Sequence, residues 1–130
     1  MKNKKINILI IGCGKMGSSH ISSFLDKPKV NLYLYDKFKS KLKKYKNYKN
    51  INILDNINLK IKFNFCIVST NSKERFKIFK KLASQKKIEI FFLKKFMYLN
   101  KRHYTYVKKN FDVKKIFNNV WGKYLYQKSI

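Results

Sequence analysis

Six residues carry the clearest chemistry in this chain: Gly12-Cys13-Gly14-Lys15-Met16-Gly17. They follow the apolar run Ile6-Asn7-Ile8-Leu9-Ile10-Ile11, which reads as a strand buried on both faces. A glycine-rich turn between a strand and a helix offers backbone N–H groups to a phosphate. Each glycine has its own task in such a unit. Gly12 lets the chain turn tightly, Gly14 lets the backbone approach a pyrophosphate, and Gly17 lets the helix pack close to the strand. Asp36 ends the next apolar run, 19 positions beyond Gly17. A carboxylate at that distance accepts hydrogen bonds from an adenosine ribose. Strand, loop, helix and acid together make the fingerprint of a dinucleotide-binding βαβ unit, with Gly12, Cys13, Gly14, Lys15, Met16, Gly17 and Asp36 as cofactor-binding candidates. Asp36 favours NAD because its charge repels a 2′-phosphate. Lys37 and Lys39 soften that repulsion and keep NADP in view.

The elements that must position these residues alternate. Residues 6–11, 32–35, 51–54, 63–69, 88–93 and 116–121 read as strands. Helices are expected at 16–25, with Met16, Ile21, Phe24 and Leu25 inward, and at 73–85, capped by Ser72, with Phe76, Phe79 and Leu82 inward. A Lys-rich surface helix is expected at 38–48, anchored by Phe38, Leu42 and Tyr45, and another helix at 100–110. Residues 55–62 are weakly patterned and leave room for little more than one helical turn. This alternation predicts an α/β fold of Rossmann type: a doubly wound parallel sheet of about six strands in three layers. Ligands in that fold sit beyond the C-terminal ends of the strands. The glycine loop, Asp36, Ser69-Thr70-Asn71 and Lys94-Lys95 all fall at such ends.

Size and composition bound the alternatives. A chain of 130 residues with 45% hydrophobic residues is long enough for one domain with a real core. No apolar run approaches the ~20 residues that span a bilayer, so no membrane association is expected. The lysine-rich start, residues 1–5, leads into the glycine loop and not into a cleavage site, and a cytoplasmic location follows. The net charge is +26, from 32 basic and 6 acidic residues. All the basic residues except Arg75 and Arg102 are lysine, and they are spread from end to end. Specific nucleic-acid binding is therefore not expected, because such proteins gather their charge in a stripe and use Arg for bidentate contacts. Cys13 and Cys66 have neither metal-site nor redox-pair spacing and read as small apolar fillers. No metal site is expected around His20, read as a packed helix residue, or His103.

The order of these segments resembles the N-terminal half of the Gfo/Idh/MocA oxidoreductases, from Ile6 to about Trp121. The opening Ile8-Leu9-Ile10-Ile11-Gly12-Cys13-Gly14-Lys15-Met16-Gly17-Ser18-Ser19-His20 matches the family's start. Val68-Ser69-Thr70-Asn71 resembles its Ala-Thr-Pro-Asn segment, with Asn71 in place of a proline. Phe92-Leu93-Lys94-Lys95-Phe96-Met97 resembles its Glu-Lys-Pro motif, with Lys94 in place of the glutamate and Phe96 in place of the proline. The resemblance implies NAD or NADP as cofactor, contacts to it from Ser69, Thr70, Asn71 and Lys94, and a catalytic role for Lys95. That role is to bind a hydroxyl or carbonyl of a sugar, cyclitol or similar small molecule and assist proton transfer during hydride transfer. Family members continue into a second α/β domain. Residues 1–121 are thus expected to form the dinucleotide-binding domain, and 122–130 the start of a missing second domain or a tail. A separately encoded C-terminal domain or a homo-oligomer is the expected protein partner. A truncated, non-catalytic nucleotide-binding or interaction module is the alternative, with a basic nucleic-acid binder behind it.

Overall fold

The structure is a computed structural model that describes residues 5–93 and 116–118. Six strands form one sheet: β1 (Ile6–Ile11), β2 (Val30–Tyr35), β3 (Ile51–Ile53), β4 (Phe63–Val68), β5 (Ile88–Leu93) and β6 (Ile116–Asn118). Their order in space is β3-β2-β1-β4-β5-β6, and every neighbouring pair is parallel. The order reverses between β1 and β4, and there the ends of two parallel strands open a crevice. The doubly wound α/β fold predicted from the alternating pattern is present.

Both faces of β1 are covered, which is why its sequence is an unbroken apolar run and not an alternation. Ile8 and Ile10 belong to one core with Ile21 of α1 (Lys15–Phe24) and with Leu42 and Tyr45. Leu9 and Ile11 belong to the other core, with Phe79 and Leu82 of α2 (Ser72–Ser84). Inward Phe24, Leu25 and Phe76 are partly buried against these cores, as their spacing predicted. Asn71, not Ser72, caps α2: its side-chain oxygen accepts the Glu74 N–H at 3.0 Å.

One connection differs from the sequence expectation. The segment after β2 is a 3-10 helix, Lys39–Tyr45, and not an α-helix over 38–48. The buried pair Leu42 and Tyr45 has the three-residue spacing that a 3-10 turn stacks on one side. Phe38 does not anchor the segment; its ring is 55% exposed at the crevice. The crossover between β3 and β4 has no helix among the described residues. Ile57 and Leu59 are buried instead, and Gln85 of the segment after α2 satisfies the backbone between them. Its oxygen accepts the Leu59 N–H at 2.7 Å, and its amide donates to the Ile57 carbonyl at 2.8 Å. The expected helix at 100–110 and the end of the strand expected at 116–121 lie outside the described residues, as does the boundary expected after residue 121.

Candidate dinucleotide site

The glycine loop turns as its composition predicts, and the three glycines are required for three different reasons. Gly12 has φ +88°, in the left-handed region that disfavours a side chain. A Cβ there would also stand 3.0 Å from the Ser69 carbonyl carbon. Gly17, inside α1, lies directly against the Gly12 carbonyl: a Cβ would come within 1.9 Å of that oxygen. Gly14 faces open space, where a Cβ would meet only the Lys41 Nζ, at 3.6 Å. The first glycine turns the chain, the last brings helix and strand together, and the middle one leaves an approach to the backbone.

Hydrogen bonds from both neighbouring strands hold the loop. The Gly12 N–H donates to the Tyr35 carbonyl at 2.9 Å, and the Ser69 N–H to the Ile11 carbonyl at 2.8 Å. Asp36 is buried at the tip of β2, with 7% exposure. One carboxylate oxygen accepts the Cys13 N–H at 2.7 Å and the other accepts the Phe38 N–H at 2.8 Å. Each oxygen keeps a second lone pair for another donor. The acid predicted as a ribose acceptor is therefore also the brace between β2 and the glycine loop.

The ends of β1, β2 and β4 and the start of α2 enclose a cleft of about 550 Å³. Gly12, Gly14, Asp36, Ser69, Thr70 and Asn71 line it, so six of the predicted cofactor residues meet in one place. Ser69 Oγ and Thr70 Oγ1 are buried there without a hydrogen-bond partner among the described residues. Buried hydroxyls in that state call for a partner such as a water or a ligand. Lysines 37, 41, 77 and 81 also line the cleft and favour an anionic occupant.

Cys13, Lys15 and Gly17 do not line that cleft. Cys13 turns its thiol into the core; its N–H is given to Asp36, so it has none to spare for a phosphate. Burial, reinforced by the Asp36 charge, pushes the Cys13 thiol up to about 12, against the pull of Lys41 and Lys44. Cys66 is buried and pushed higher still by desolvation alone. Both cysteines are therefore inert fillers, as their spacing suggested. Lys15 lines an adjoining hollow with Lys41, Lys43 and Lys44. Gly17 acts through packing. Met16 lies in α1. His20 is half-buried on α1, and desolvation lowers its pKa. Among the described residues no cluster of His, Cys, Asp and Glu could hold a metal ion, and no helix is long and apolar enough to cross a membrane. Lys94 and Lys95 lie outside the described residues.

Arg75 is a site-forming residue that sequence reasoning passed over. It is 2% exposed, and its Nη2 donates to the Thr70 carbonyl at 2.7 Å, fixing the loop after β4. Burial pulls its pKa down from the usual arginine range. The signal was available: Arg75, Phe79 and Leu82 are spaced four and three apart, on the inner face of one helix.

Known structures share this arrangement. GenD2 from gentamicin A biosynthesis, solved in complex with NAD, aligns over 88% of this chain with a TM-score of 0.72 at 13% identity, covering 34% of its own length. At this identity the likeness shows a shared Rossmann fold. An NAD-binding protein from Listeria innocua aligns over 89% of this chain and 35% of its own, with a TM-score of 0.69 and 14% identity. The UDP-N-acetylglucosamine 3-dehydrogenase GnnA from Acidithiobacillus ferrooxidans aligns over 81% of this chain and 33% of its own, with a TM-score of 0.67 and 9% identity. The chain spans about a third of the length of these solved structures. No protein-family model matches the sequence, and no curated protein sequence matches it.

Proposed function

We propose that the cleft binds a nicotinamide dinucleotide and that the chain is the cofactor-binding part of a Gfo/Idh/MocA-like oxidoreductase. The observation that carries this reading is the open approach to Gly14 between Asp36 and the unpartnered hydroxyls of Ser69 and Thr70. The residues fit the group. The diphosphate lies against Gly14 and the uncapped N-terminus of α1, whose first turn carries no acidic residue. An adenosine ribose donates to the free lone pairs of Asp36. Ser69 and Thr70 meet the ribose on the nicotinamide side, with Asn71 beside them, and Lys94 is a further proposed contact.

NAD is preferred to NADP. The two lysines that would soften the Asp36 charge are both paired with carboxylates. Lys37 Nζ meets Glu74 Oε1 at 2.7 Å, and Lys39 Nζ meets Asp55 Oδ1 at 3.5 Å. Glu74 accordingly raises the pKa of Lys37. A 2′-phosphate would have to compete with these partners.

Bound NAD supplies a hydride acceptor. The chain's own contribution to turnover is Lys95, which binds the reacting hydroxyl or carbonyl of a sugar, cyclitol or similar small molecule and carries its proton. Orientation of that substrate falls to a second domain, in this protein or in a partner chain, because positioning supplies much of a catalytic rate. Two buried free thiols suit the reducing cytoplasm. The test is a polyol and sugar panel with NAD and NADP, with Lys95→Ala beside the wild type. Turnover with NAD that Lys95→Ala lowers by ~100-fold or more, at unchanged NADH affinity, is expected. Turnover unaffected by Lys95→Ala would remove that residue's role. NADH binding without turnover on any member of the panel would favour the non-catalytic nucleotide-binding module.

A further inference from the structure

We propose that Lys41 is a phosphate-binding residue of this site, reaching the diphosphate where it lies on Gly14. The inference rests on the dinucleotide reading and adds to it a residue that no spacing rule marks. Lys41 lies in the first turn of the 3-10 helix, where its N–H donates to the Phe38 carbonyl at 3.0 Å. That turn sends the side chain back across the loop. Among the described residues its Nζ is the atom that a Cβ on Gly14 would meet, at 3.6 Å. It also stands 5.4 Å from the centre of the Phe38 ring, which leaves the ammonium over an aromatic face at the mouth of the cleft.

The electrostatics favour an anion at that point. The N-terminus of α1 carries about half a positive charge on its free N–H groups. No side chain caps it and no acid lies in its first turn. The Lys41 ammonium is placed beside this positive end. Of the two ion pairs among the described residues, neither involves Lys41. Two positive features facing one gap repel each other until an anion lies between them. A diphosphate lying on Gly14 meets both the free N–H groups and the ammonium, and such charge-assisted contacts are stronger than neutral ones. Lys41 and Gly14 both line the main cleft and the adjoining hollow, so they meet at the boundary between the two. Lys44 lines the hollow alone and serves as a control of equal charge.

The test is calorimetric titration of the purified full chain with NADH, with ADP-ribose and with adenosine, at low ionic strength. The proteins are the wild type, Lys41→Gln, Lys41→Arg and Lys44→Gln. Lys41→Gln is expected to weaken NADH and ADP-ribose by roughly tenfold and to change adenosine by less than about twofold, since adenosine has no phosphate. Lys41→Arg restores most of the loss, Lys44→Gln causes little, and the wild-type advantage over Lys41→Gln shrinks as salt is added. Wild-type binding of ADP-ribose with no loss in Lys41→Gln would overturn the role of Lys41 and leave the dinucleotide reading standing. An equal loss for adenosine and ADP-ribose would also overturn it. A wild type that binds neither NADH nor ADP-ribose would overturn both.

Discussion

Gly17→Ala is expected to destabilise the protein by about 3 kcal/mol or more, with a fall in Tm on the order of 10 °C. Elsewhere in a helix the same change stabilises by ~1 kcal/mol, because alanine is the better helix former. Here the sign reverses. The new methyl would come within 1.9 Å of the Gly12 oxygen and 2.9 Å of the Gly12 carbonyl carbon, both backbone atoms. The Gly12 backbone cannot recede. Its N–H is bonded to the Tyr35 carbonyl, and any side chain there would stand 3.0 Å from Ser69. The helix must therefore lift from the sheet and lose the packing of Ile21 against Ile8 and Ile10. Urea unfolding followed by circular dichroism measures the effect, with Ser19→Ala on the exposed side of α1 as a control within ~0.5 kcal/mol of wild type. A Gly17→Ala protein as stable as wild type would mean that helix and strand are not in contact as described.

Asp36→Ala is expected to cost about 2 to 3 kcal/mol in stability and most of the affinity for NADH. The carboxylate accepts two N–H groups, from Cys13 and Phe38, and the bond to Cys13 is buried. Removing it strands a buried donor and unties the glycine loop from β2, across 23 residues of sequence. Asp36→Asn offers little rescue. One amide oxygen can still accept, but the NH₂ group then faces a second N–H, donor against donor. Stability and NADH affinity are both expected to fall in Asp36→Asn. A ribose-only role for this acid predicts otherwise: full stability in both variants, with binding alone reduced. Denaturant unfolding therefore separates the two accounts without any ligand present.

The sequence told most about this fold where one interaction dominated. The run 6–11 and the strand at 63–68 were legible because burial on both faces leaves no choice of residue type. The glycine loop was legible because backbone conformation and close approach admit only glycine at Gly12 and Gly17. Asp36 was legible as a position, but its brace to Cys13 was not, since a bond between residues 13 and 36 has no local sequence signal. The segment 38–48 was misread because Phe38, Leu42 and Tyr45 have α-helical spacing, whereas only Leu42 and Tyr45 are buried and their three-residue spacing suits a 3-10 turn. The crossover 55–62 was opaque for a related reason. Ile57 and Leu59 alternate like a strand, yet their backbone partner is Gln85, far along the chain. Arg75 was hidden by composition: one buried guanidinium among 32 basic residues reads as another surface charge until the inner-face spacing is applied.

The most direct test of the central claim is a fluorescence titration of NADH into the wild type and Gly14→Val. A Cβ at Gly14 would meet only the Lys41 Nζ among the described residues, at 3.6 Å, so the Gly14→Val fold is expected to stay within about 1 kcal/mol of wild type. The side chain would occupy the space assigned to the diphosphate. The wild type is expected to bind NADH and Gly14→Val to lose that binding by ~100-fold or more. NADH bound equally well by a folded Gly14→Val protein, or not bound by the wild type at all, would contradict the assignment of this cleft to a dinucleotide.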